Sequence, residues 1–155
     1  MQPIGKKENM VTDSKPRILV VDDEPEILGE VASYLRRRGE LVLTAASYKQ
    51  AMAILNDDAA PIDLMITDAR MPDGSGVDLL RWAINEPRGP RACVLMTGHL
   101  EEDDLADVLD QSGMAIVYKP FSLASFYREI LSLRTARCSG EPAHKASPPA
   151  TLPLN

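Results

Sequence analysis

The chain is poor in cysteine, and this shortage excludes two kinds of architecture. Its 155 residues include only two cysteines, Cys93 and Cys138. Cys93 lies in an apolar run and Cys138 in a polar tail, so the pair shows no metal-ligand spacing. The sequence therefore argues against a structural zinc site and against a disulfide framework. A reducing, cytoplasmic location is the expectation.

Long apolar runs and a basic charge balance are also absent. No run of about 18 apolar residues occurs, so the sequence predicts no membrane span. Lys6 and Lys7 are not followed by an apolar segment, so it predicts no signal peptide either. The formal net charge is -6. Because domains that hold the nucleic acid backbone are usually basic, we expect no direct contact with nucleic acid.

What is present suits one globular domain. The length allows one full core, and the composition is 45% hydrophobic and 26% charged. Residues 1–15 are polar without apolar periodicity, and residues 135–155 are rich in Pro, Ala and Ser. We predict a disordered leader, a folded domain over residues 16–134 and a disordered tail.

Five apolar runs alternate with five segments of helical periodicity. The predicted strands are residues 17–21, 41–45, 64–66 (ending on Thr67 and Asp68), 92–96 and 116–118. Ser47 and Ser122 are predicted to cap the second and the last helix, and Asp23 or Glu24 the first. The fourth helix is predicted on Leu105, Val108 and Leu109. This alternation predicts an α/β domain whose parallel sheet is covered by helices on both faces.

Polar side chains stand where four of these strands end. Asp22 and Asp23 follow the first strand, Asp68 ends the third, Thr97 follows the fourth and Lys119 follows the fifth. Because carboxyl ends of parallel strands meet at one edge of the sheet, these groups are predicted to converge there. Taken alone, Asp68 is a metal ligand, a nucleophile or a helix cap, and Asp22 and Asp23 are also candidate caps.

Together these residue types suit phosphoryl transfer better than separate structural roles. Three neighbouring carboxylates repel one another unless a hard cation such as Mg²⁺ neutralises them. Lys119 supplies a further positive charge for a phosphoryl group, and the Thr97 hydroxyl supplies a hydrogen bond. Asp68 can then act as a nucleophile and form an acyl phosphate.

Four segments, at 20–25, 66–76, 96–98 and 119–121, closely resemble the receiver domain of two-component response regulators. They read VVDDEP, ITDARMPDGSG, MTG and KPF, and the resemblance runs from about Arg17 to Leu133. It implies a stand-alone regulator similar to chemotaxis regulators. It also implies a flavodoxin-like three-layer sandwich, with a five-stranded parallel sheet in the order 2-1-3-4-5 and five helices.

The resemblance also implies roles for single residues. Asp68 would accept a phosphoryl group from a histidine kinase or a histidine phosphotransfer protein. Asp22, Asp23, Asp68 and the backbone carbonyl of Arg70 would hold Mg²⁺. Thr97 and Lys119 would sense the phosphate. Such a chain catalyses only its own phosphorylation and dephosphorylation, and it switches contacts with a downstream protein. The alternatives are a phosphorelay intermediate and the receiver part of a longer regulator.

The chain departs from the commonest family pattern at a few positions. Ile116, three residues before Lys119, stands where receivers usually carry Phe or Tyr. Arg70 and His99 occupy positions that tune the phosphate lifetime in the family. We predict that Tyr118 shares a face with Ile116 between the fourth and fifth helices. That face would belong to a phosphorylation-dependent dimer surface made of the fourth helix, fifth strand and fifth helix.

Two further hypotheses come from other classes. A haloacid-dehalogenase-like phosphatase also places an Asp nucleophile and Mg²⁺ at strand ends. It requires Asp-x-Asp after the first strand, and this chain has Asp22-Asp23-Glu24 and no evident cap domain. A pseudo-receiver that only binds partners would lack the acceptor or the lysine, and both are present.

Overall fold

The structure is a computed structural model that describes residues 15–98 and 113–139, with side chains described as far as residue 134. Within these ranges the elements follow the predicted alternation. In chain order they are β1 (Arg17–Val21), α1 (Pro25–Arg37), β2 (Leu41–Ala45), α2 (Tyr48–Leu55), β3 (Leu64–Asp68), β4 (Arg70–Met71), β5 (Gly74–Ser75), α3 (Gly76–Asn85), β6 (Ala92–Thr97), β7 (Met114–Tyr118) and α4 (Leu123–Ser139).

Three boundaries differ from the sequence-based ones, and one element cannot be compared. The last helix runs to Ser139, past residue 134, where the folded domain was predicted to end. β6 includes Thr97, and β7 begins at Met114, two residues before the predicted fifth strand. The helix predicted on Leu105, Val108 and Leu109 lies outside the described residues. The helix α4 is therefore the one predicted as the fifth. None of the helices within the described ranges is long and apolar enough to cross a membrane.

The main sheet has the strand order β2-β1-β3-β6-β7, and every neighbouring pair is parallel. This is the predicted order 2-1-3-4-5. The chain leaves β1 for β2 on one side and returns to β3 on the other, so the strand order reverses between β1 and β3. A crevice at the carboxyl ends of the strands is expected at such a reversal. The small antiparallel pair β4-β5 was not predicted.

Both faces of the sheet are covered, which explains the continuous apolar runs in the sequence. Every residue of β3 and β6 is buried. One apolar cluster joins alternate strand residues to α2 and α3, and it includes Leu19, Met65, Leu95, Ala51 and Leu79. The other joins the remaining strand residues to α1 and α4, and it includes Val20, Ile66, Val94, Leu35 and Phe126.

The helix ends test the predicted caps. Ser47 Oγ accepts from the Gln50 N–H at 3.1 Å, and Ser122 Oγ accepts from the Ser125 N–H at 3.1 Å, so both serine caps are confirmed. The predicted cap of α1 by Asp23 or Glu24 is wrong. Glu24 occupies the cap position without a side-chain cap bond.

The backbone just before α1 is instead bound by Asp22, the residue that precedes both predicted caps. Asp22 Oδ1 accepts from the Glu24 N–H at 2.9 Å. Asp22 ends its strand fully buried, so its carboxylate lies within reach of the backbone of the following turn. At the other end of α1, Gly39 adopts a φ of +84°, the left-handed conformation in which helices commonly end.

Candidate functional site

Three aspartates meet at the carboxyl edge of the sheet. Carboxylate oxygens of Asp22, Asp23 and Asp68 all lie within 4.8 Å of one another. The cause is strand pairing: Val21 lies opposite Thr67 in adjacent parallel strands, so the residues after them emerge side by side. Asp22 is fully buried, Asp68 is 9% exposed and Asp23 is half-buried.

A single lysine reaches this cluster from the last strand. Lys119 Nζ lies 3.3 Å from Asp22 Oδ2 and 3.3 Å from Asp68 Oδ1. The lysine follows β7 directly, and its backbone N–H donates to the Thr97 carbonyl at 2.7 Å. The Lys119–Pro120 peptide bond is cis. Among the described residues one ammonium faces three carboxylates, so their negative charge exceeds the positive charge beside them.

Burial and the neighbouring charges both shift the pKa values of the site. Burial raises the pKa of Asp68, and the Asp22 carboxylate raises it further, while Lys119 only partly opposes both effects. Burial by itself would lower the pKa of Lys119. The charges of Asp22 and Asp68 and the hydrogen bonds to them outweigh burial, so this pKa is raised. A further cation bound by these carboxylates would therefore interact with them favourably.

Mg²⁺ fits this donor set. It prefers hard oxygen ligands, a few carboxylates and remaining water. The Asp22, Asp23 and Asp68 oxygens are of this kind, lie close together and carry more negative charge than Lys119 neutralises. The cation site expected from the sequence therefore has its carboxylates in one place.

The segment after Asp68 is built on a close backbone approach. A Cβ on Gly76 would lie 1.8 Å from the Asp68 carbonyl oxygen, so α3 can begin there only with glycine. The Gly76 N–H donates to the Ala69 carbonyl at 3.0 Å. The Thr67 hydroxyl donates to the Asp68 carbonyl at 3.0 Å. Sequence analysis treated this glycine as part of a turn and missed that it determines how α3 packs beside Asp68.

Asp73 is a second residue that sequence analysis missed. Its carboxylate accepts hydrogen bonds from the N–H groups of Tyr48 and Lys49, at 2.9 and 3.0 Å. These residues are 25 and 24 positions away in the chain. An exposed aspartate in a glycine-rich turn carries no sequence signal for such a distant contact.

The remaining predicted site residues occupy different environments. Thr97 ends β6 and is 2% exposed, close to Lys119 through the backbone bond described above. Arg70 lies in β4 with an exposed side chain. His99 lies outside the described residues.

Ile116 and Tyr118 share a face of β7, as predicted. Both pack with the cluster that covers α2 and α3, where Ile116 is buried and Tyr118 half-buried. The buried residues of α4, such as Phe126 and Ile130, lie on the opposite face of the sheet. Tyr118 thus packs on the face opposite α4, and because the helix predicted as the fourth lies outside the described residues, its placement between those two helices stays a prediction. Alternation along a strand fixes which residues share a face, and it does not tell which helix covers that face.

Comparison with known proteins agrees with this geometry. Residues 18–131 match the response regulator receiver domain family. The chain is 33% identical to the transcriptional regulatory protein AruR of Pseudomonas aeruginosa over 138 residues, 84% of this chain and 56% of AruR. It is 30% identical to the response regulator SaeR of Staphylococcus aureus over 118 residues, 76% of this chain and 50% of SaeR. The chain thus spans about half the length of these curated relatives.

Solved structures show the same fold. A response regulator receiver domain from Clostridium thermocellum aligns with a TM-score of 0.66 at 30% identity, covering 80% of this chain and 98% of that one. The receiver domain of the hybrid histidine kinase CckA aligns with a TM-score of 0.62 at 28% identity, over 76% and 97%. The chemotaxis protein CheY4 of Vibrio cholerae, at 21% identity and a TM-score of 0.67 over 77% and 99%, supports the flavodoxin-like fold. The chain therefore belongs to the receiver domains of two-component response regulators.

Proposed function

We propose that Asp68 of this chain accepts a phosphoryl group from a phosphohistidine. Receiver domains are signalling proteins that bind Mg²⁺ at an acidic pocket and interact with histidine kinases and downstream targets. The observation that supports the proposal most directly is the set of contacts around Asp68. Its carboxylate lies 3.3 Å from Lys119 Nζ and within 4.8 Å of the Asp22 and Asp23 carboxylates.

In the proposed reaction an oxygen of the Asp68 carboxylate attacks phosphorus. The P–N bond to the donor histidine breaks, and the imidazole nitrogen leaves with the electron pair and takes up a proton. The product is an acyl phosphate on Asp68. Lys119 then has an anionic phosphoryl oxygen to pair with, and the Thr97 hydroxyl is the proposed hydrogen-bond donor to it.

The same residues account for the proposed metal dependence. Asp22, Asp23, Asp68 and the Arg70 carbonyl are the proposed ligands of Mg²⁺, which when bound neutralises charge on the carboxylates and the phosphoryl group. In this proposal the chain catalyses only its own phosphorylation and dephosphorylation. It acts in the cytoplasm, a location that the cysteine pattern predicts.

The proposed output is a change of contact with a downstream protein. Tyr118 lies opposite Thr97 in the register of β6 and β7. A shift of Thr97 toward the phosphate is therefore expected to change the position of the Tyr118 side chain. Ile116, buried beside it, replaces the usual ring of the family. The proposed surface comprises β7 and the segment predicted as the fourth helix, and it serves a partner or a second copy. Tyr118→Ala with unchanged affinity for the partner in the activated state would rule out this surface.

The central test is an intact-mass measurement after incubation with acetyl phosphate and Mg²⁺. We expect wild type to gain one phosphoryl group and Asp68→Asn to gain none. Asp58→Asn is the matched control, because Asp58 is an exposed aspartate paired with Arg88 at 2.6 Å, away from the site. It should be phosphorylated as wild type is. If Asp68→Asn gains the phosphoryl mass as readily as wild type, Asp68 is not the acceptor.

A further inference from the structure

The turn of the β4-β5 hairpin is fastened to helix α2 by one carboxylate. Arg70 pairs with Ser75 and Met71 with Gly74, so Pro72 and Asp73 form the turn between the two short strands. Asp73 Oδ1 accepts from the Tyr48 N–H at 2.9 Å, and Asp73 Oδ2 accepts from the Lys49 N–H at 3.0 Å. Both oxygens of the carboxylate are thus used on a different element of the fold.

The first turn of α2 depends on this carboxylate as much as on its own cap. Helices begin with N–H groups that have no partner within the helix. Ser47 Oγ binds only the Gln50 N–H, at 3.1 Å. The N–H groups of Tyr48 and Lys49, the first two residues of α2, are bound by Asp73. The backbone donors at this helix end are therefore divided between a local cap and a residue of the hairpin.

The two hydrogen bonds accepted by Asp73 are charge-assisted and therefore stronger than bonds between neutral groups. The backbone N–H groups of Lys49 and Tyr48 hold the pKa of Asp73 below its ordinary value, so the group is ionised at neutral pH. Carboxylates near the start of a helix are also favoured by the helix dipole. An ionised Asp73 is an anchor that competes well with water although its side chain lies at the surface.

Two glycines restrict the hairpin further. A Cβ on Gly74 would lie 2.5 Å from Cγ of Tyr48, so the ring of Tyr48 packs directly against the hairpin backbone. At the other end, Gly76 packs against the Asp68 carbonyl. Residues 69–75 are thus held between β3 on one side and α2 on the other. Arg70, whose carbonyl is a proposed ligand of Mg²⁺, lies within this segment.

We propose that Asp73 is a positioning residue for the phosphorylation site. By holding the hairpin turn on α2, it fixes the backbone of the segment that carries Arg70, two residues after Asp68. The part that concerns Mg²⁺ rests on the proposed function, whereas the tether between the hairpin and α2 does not. A further consequence is that α2 and the phosphorylation site are coupled. Loss of the two Asp73 hydrogen bonds would free both the start of α2 and the hairpin that follows Asp68.

The experiment compares three variants of the full chain, Asp73→Ala, Asp73→Asn and Ser47→Ala. The alanine variant removes both hydrogen bonds and the charge. The asparagine variant removes the same charge and keeps one acceptor oxygen, so the difference between these two reports on hydrogen bonding. Ser47→Ala removes the other cap at the same end of α2 and weakens the helix without releasing the hairpin.

Two measurements are made on each variant. The first is hydrogen exchange of amides 69–75 in metal-free protein, which needs no phosphorylation chemistry. The second is Mg²⁺ affinity by calorimetry. For Asp73→Ala we expect exchange roughly tenfold faster and Mg²⁺ binding roughly tenfold weaker, the lower range for loss of a partner that orients a metal ligand. Asp73→Asn should show less than half of the logarithmic change, and Ser47→Ala should leave both quantities near wild type.

The opposite outcomes overturn the proposal. Equal effects of Asp73→Asn and Asp73→Ala would assign them to charge alone. Equal effects of Ser47→Ala and Asp73→Ala would assign them to the stability of α2. Unchanged exchange in Asp73→Ala would show that no tether exists. If wild type binds no Mg²⁺, the proposed function fails, and the exchange measurement still decides whether Asp73 holds the hairpin.

Discussion

The two edges of the sheet each carry a cluster of acidic and basic side chains, and the clusters are balanced differently. At the carboxyl edge, Asp22, Asp23 and Asp68 share one lysine at 3.3 Å. At the amino edge, where β2 begins, Glu40 is bound by Arg134 from α4. We call Glu40, Tyr127, Arg134, Arg38 and Tyr34 the amino-edge cluster. Both places combine carboxylates with basic side chains, so the presence of opposite charges alone does not distinguish them.

The amino-edge cluster satisfies its carboxylate completely. Arg134 donates to both oxygens of Glu40, at 2.7 and 3.0 Å, and the Tyr127 hydroxyl donates at 3.1 Å. The hydrogen bond and charge of Arg134 lower the pKa of Glu40 although burial opposes them. Arg38 lies 4.6 and 4.9 Å from the ring centres of Tyr34 and Tyr127. These contacts connect the end of α1 to the last helix, α4.

The difference between the two clusters shows what distinguishes a structural ion pair from a functional site. In the amino-edge cluster the carboxylate has a bidentate arginine, and its pKa is lowered. At the carboxyl edge the carboxylates outnumber the lysine, and the pKa of Asp68 is raised. Excess negative charge in a cluster destabilises the folded protein and favours the binding of a cation that neutralises it. Perturbed titration of this kind is frequent at functional sites.

The largest expected effect concerns the two aspartates after β1. Within the described residues, both oxygens of Asp22 are engaged, by the Glu24 N–H at 2.9 Å and by Lys119 at 3.3 Å, while the carboxylate of half-buried Asp23 makes no such bond. Asp23 is therefore the better direct ligand. Asp23→Asn should weaken Mg²⁺ binding at least about tenfold, and Asp22→Asn less. Calorimetry on both variants gives the comparison, and equal losses would refute the ranking.

A second change breaks the balanced cluster. Glu40→Gln should lower the free energy of unfolding by about 2 kcal/mol, because it removes a charge-assisted bond and leaves Arg134 partly buried. Urea unfolding at neutral pH measures this loss. Asp78→Asn, which breaks an exposed 3.4 Å pair with Arg81 in α3, is the control and should cost less than about 0.5 kcal/mol. Equal costs would mean that the amino-edge cluster is no stronger than a surface pair.

The same variant should change the pH dependence of stability. The folded pKa of Glu40 is lowered. Its contribution is therefore present above the ordinary glutamate pKa and is lost as pH falls through the lowered value. The difference between wild type and Glu40→Gln should shrink in acid, and a difference that grows in acid would contradict the assignment.

The third change tests the opposite sign at the carboxyl edge. Because the folded pKa of Asp68 is raised, its ionised form costs stability above that pKa, and the cost disappears as pH falls below the unfolded value. Asp68→Asn should therefore stabilise the metal-free protein by about 1 kcal/mol at neutral pH, as changes at strained active sites often do. Thermal unfolding with and without Mg²⁺ checks this. Added Mg²⁺ should stabilise wild type more than the variant.

The sequence was sufficient for the features that strand periodicity and strand ends determine. The parallel sheet, the convergence of Asp22, Asp23, Asp68 and Lys119, and the caps at Ser47 and Ser122 all follow from local patterns, whereas the strand order came from the family resemblance. These signals lie within a few residues of the structure they predict, so they can be recognised in a single sequence.

Contacts between distant segments away from the strand ends were not predictable in this way. Glu40 and Arg134 are 94 positions apart, and Asp73 and Tyr48 are 25 apart. Each pair is brought together by packing that no local pattern records. The cap of α1 was wrong because Glu24, at the cap position, makes no side-chain cap bond, and its own N–H is bound by Asp22. That Tyr118 packs on the face opposite α4 was likewise not predictable, because the alternation of a strand does not say which helix covers which face.

The smallest expected effect is on the lifetime of the acyl phosphate. Arg70 lies two residues after Asp68 with an exposed side chain. An arginine side chain has only hydrogen-bond donors, so it cannot accept a proton from an attacking water molecule, and it is suited to pair with the phosphoryl group. Hydrolysis should therefore be slow, and Arg70→Asn should speed the loss of phosphoryl mass about threefold, the size of one exposed ion pair.

Intact-mass measurements after removal of the phosphodonor follow this loss directly. Arg91→Asn is the matched control, because Arg91 is an exposed arginine that precedes β6 and so lies at the amino edge of the sheet. It should leave the lifetime unchanged, since it is far from the excess charge around Asp68. If Arg70→Asn leaves hydrolysis unchanged or slows it, the guanidinium does not protect the phosphoryl group. The balance of charge at the carboxyl edge would then rest on Lys119 and the bound cation alone.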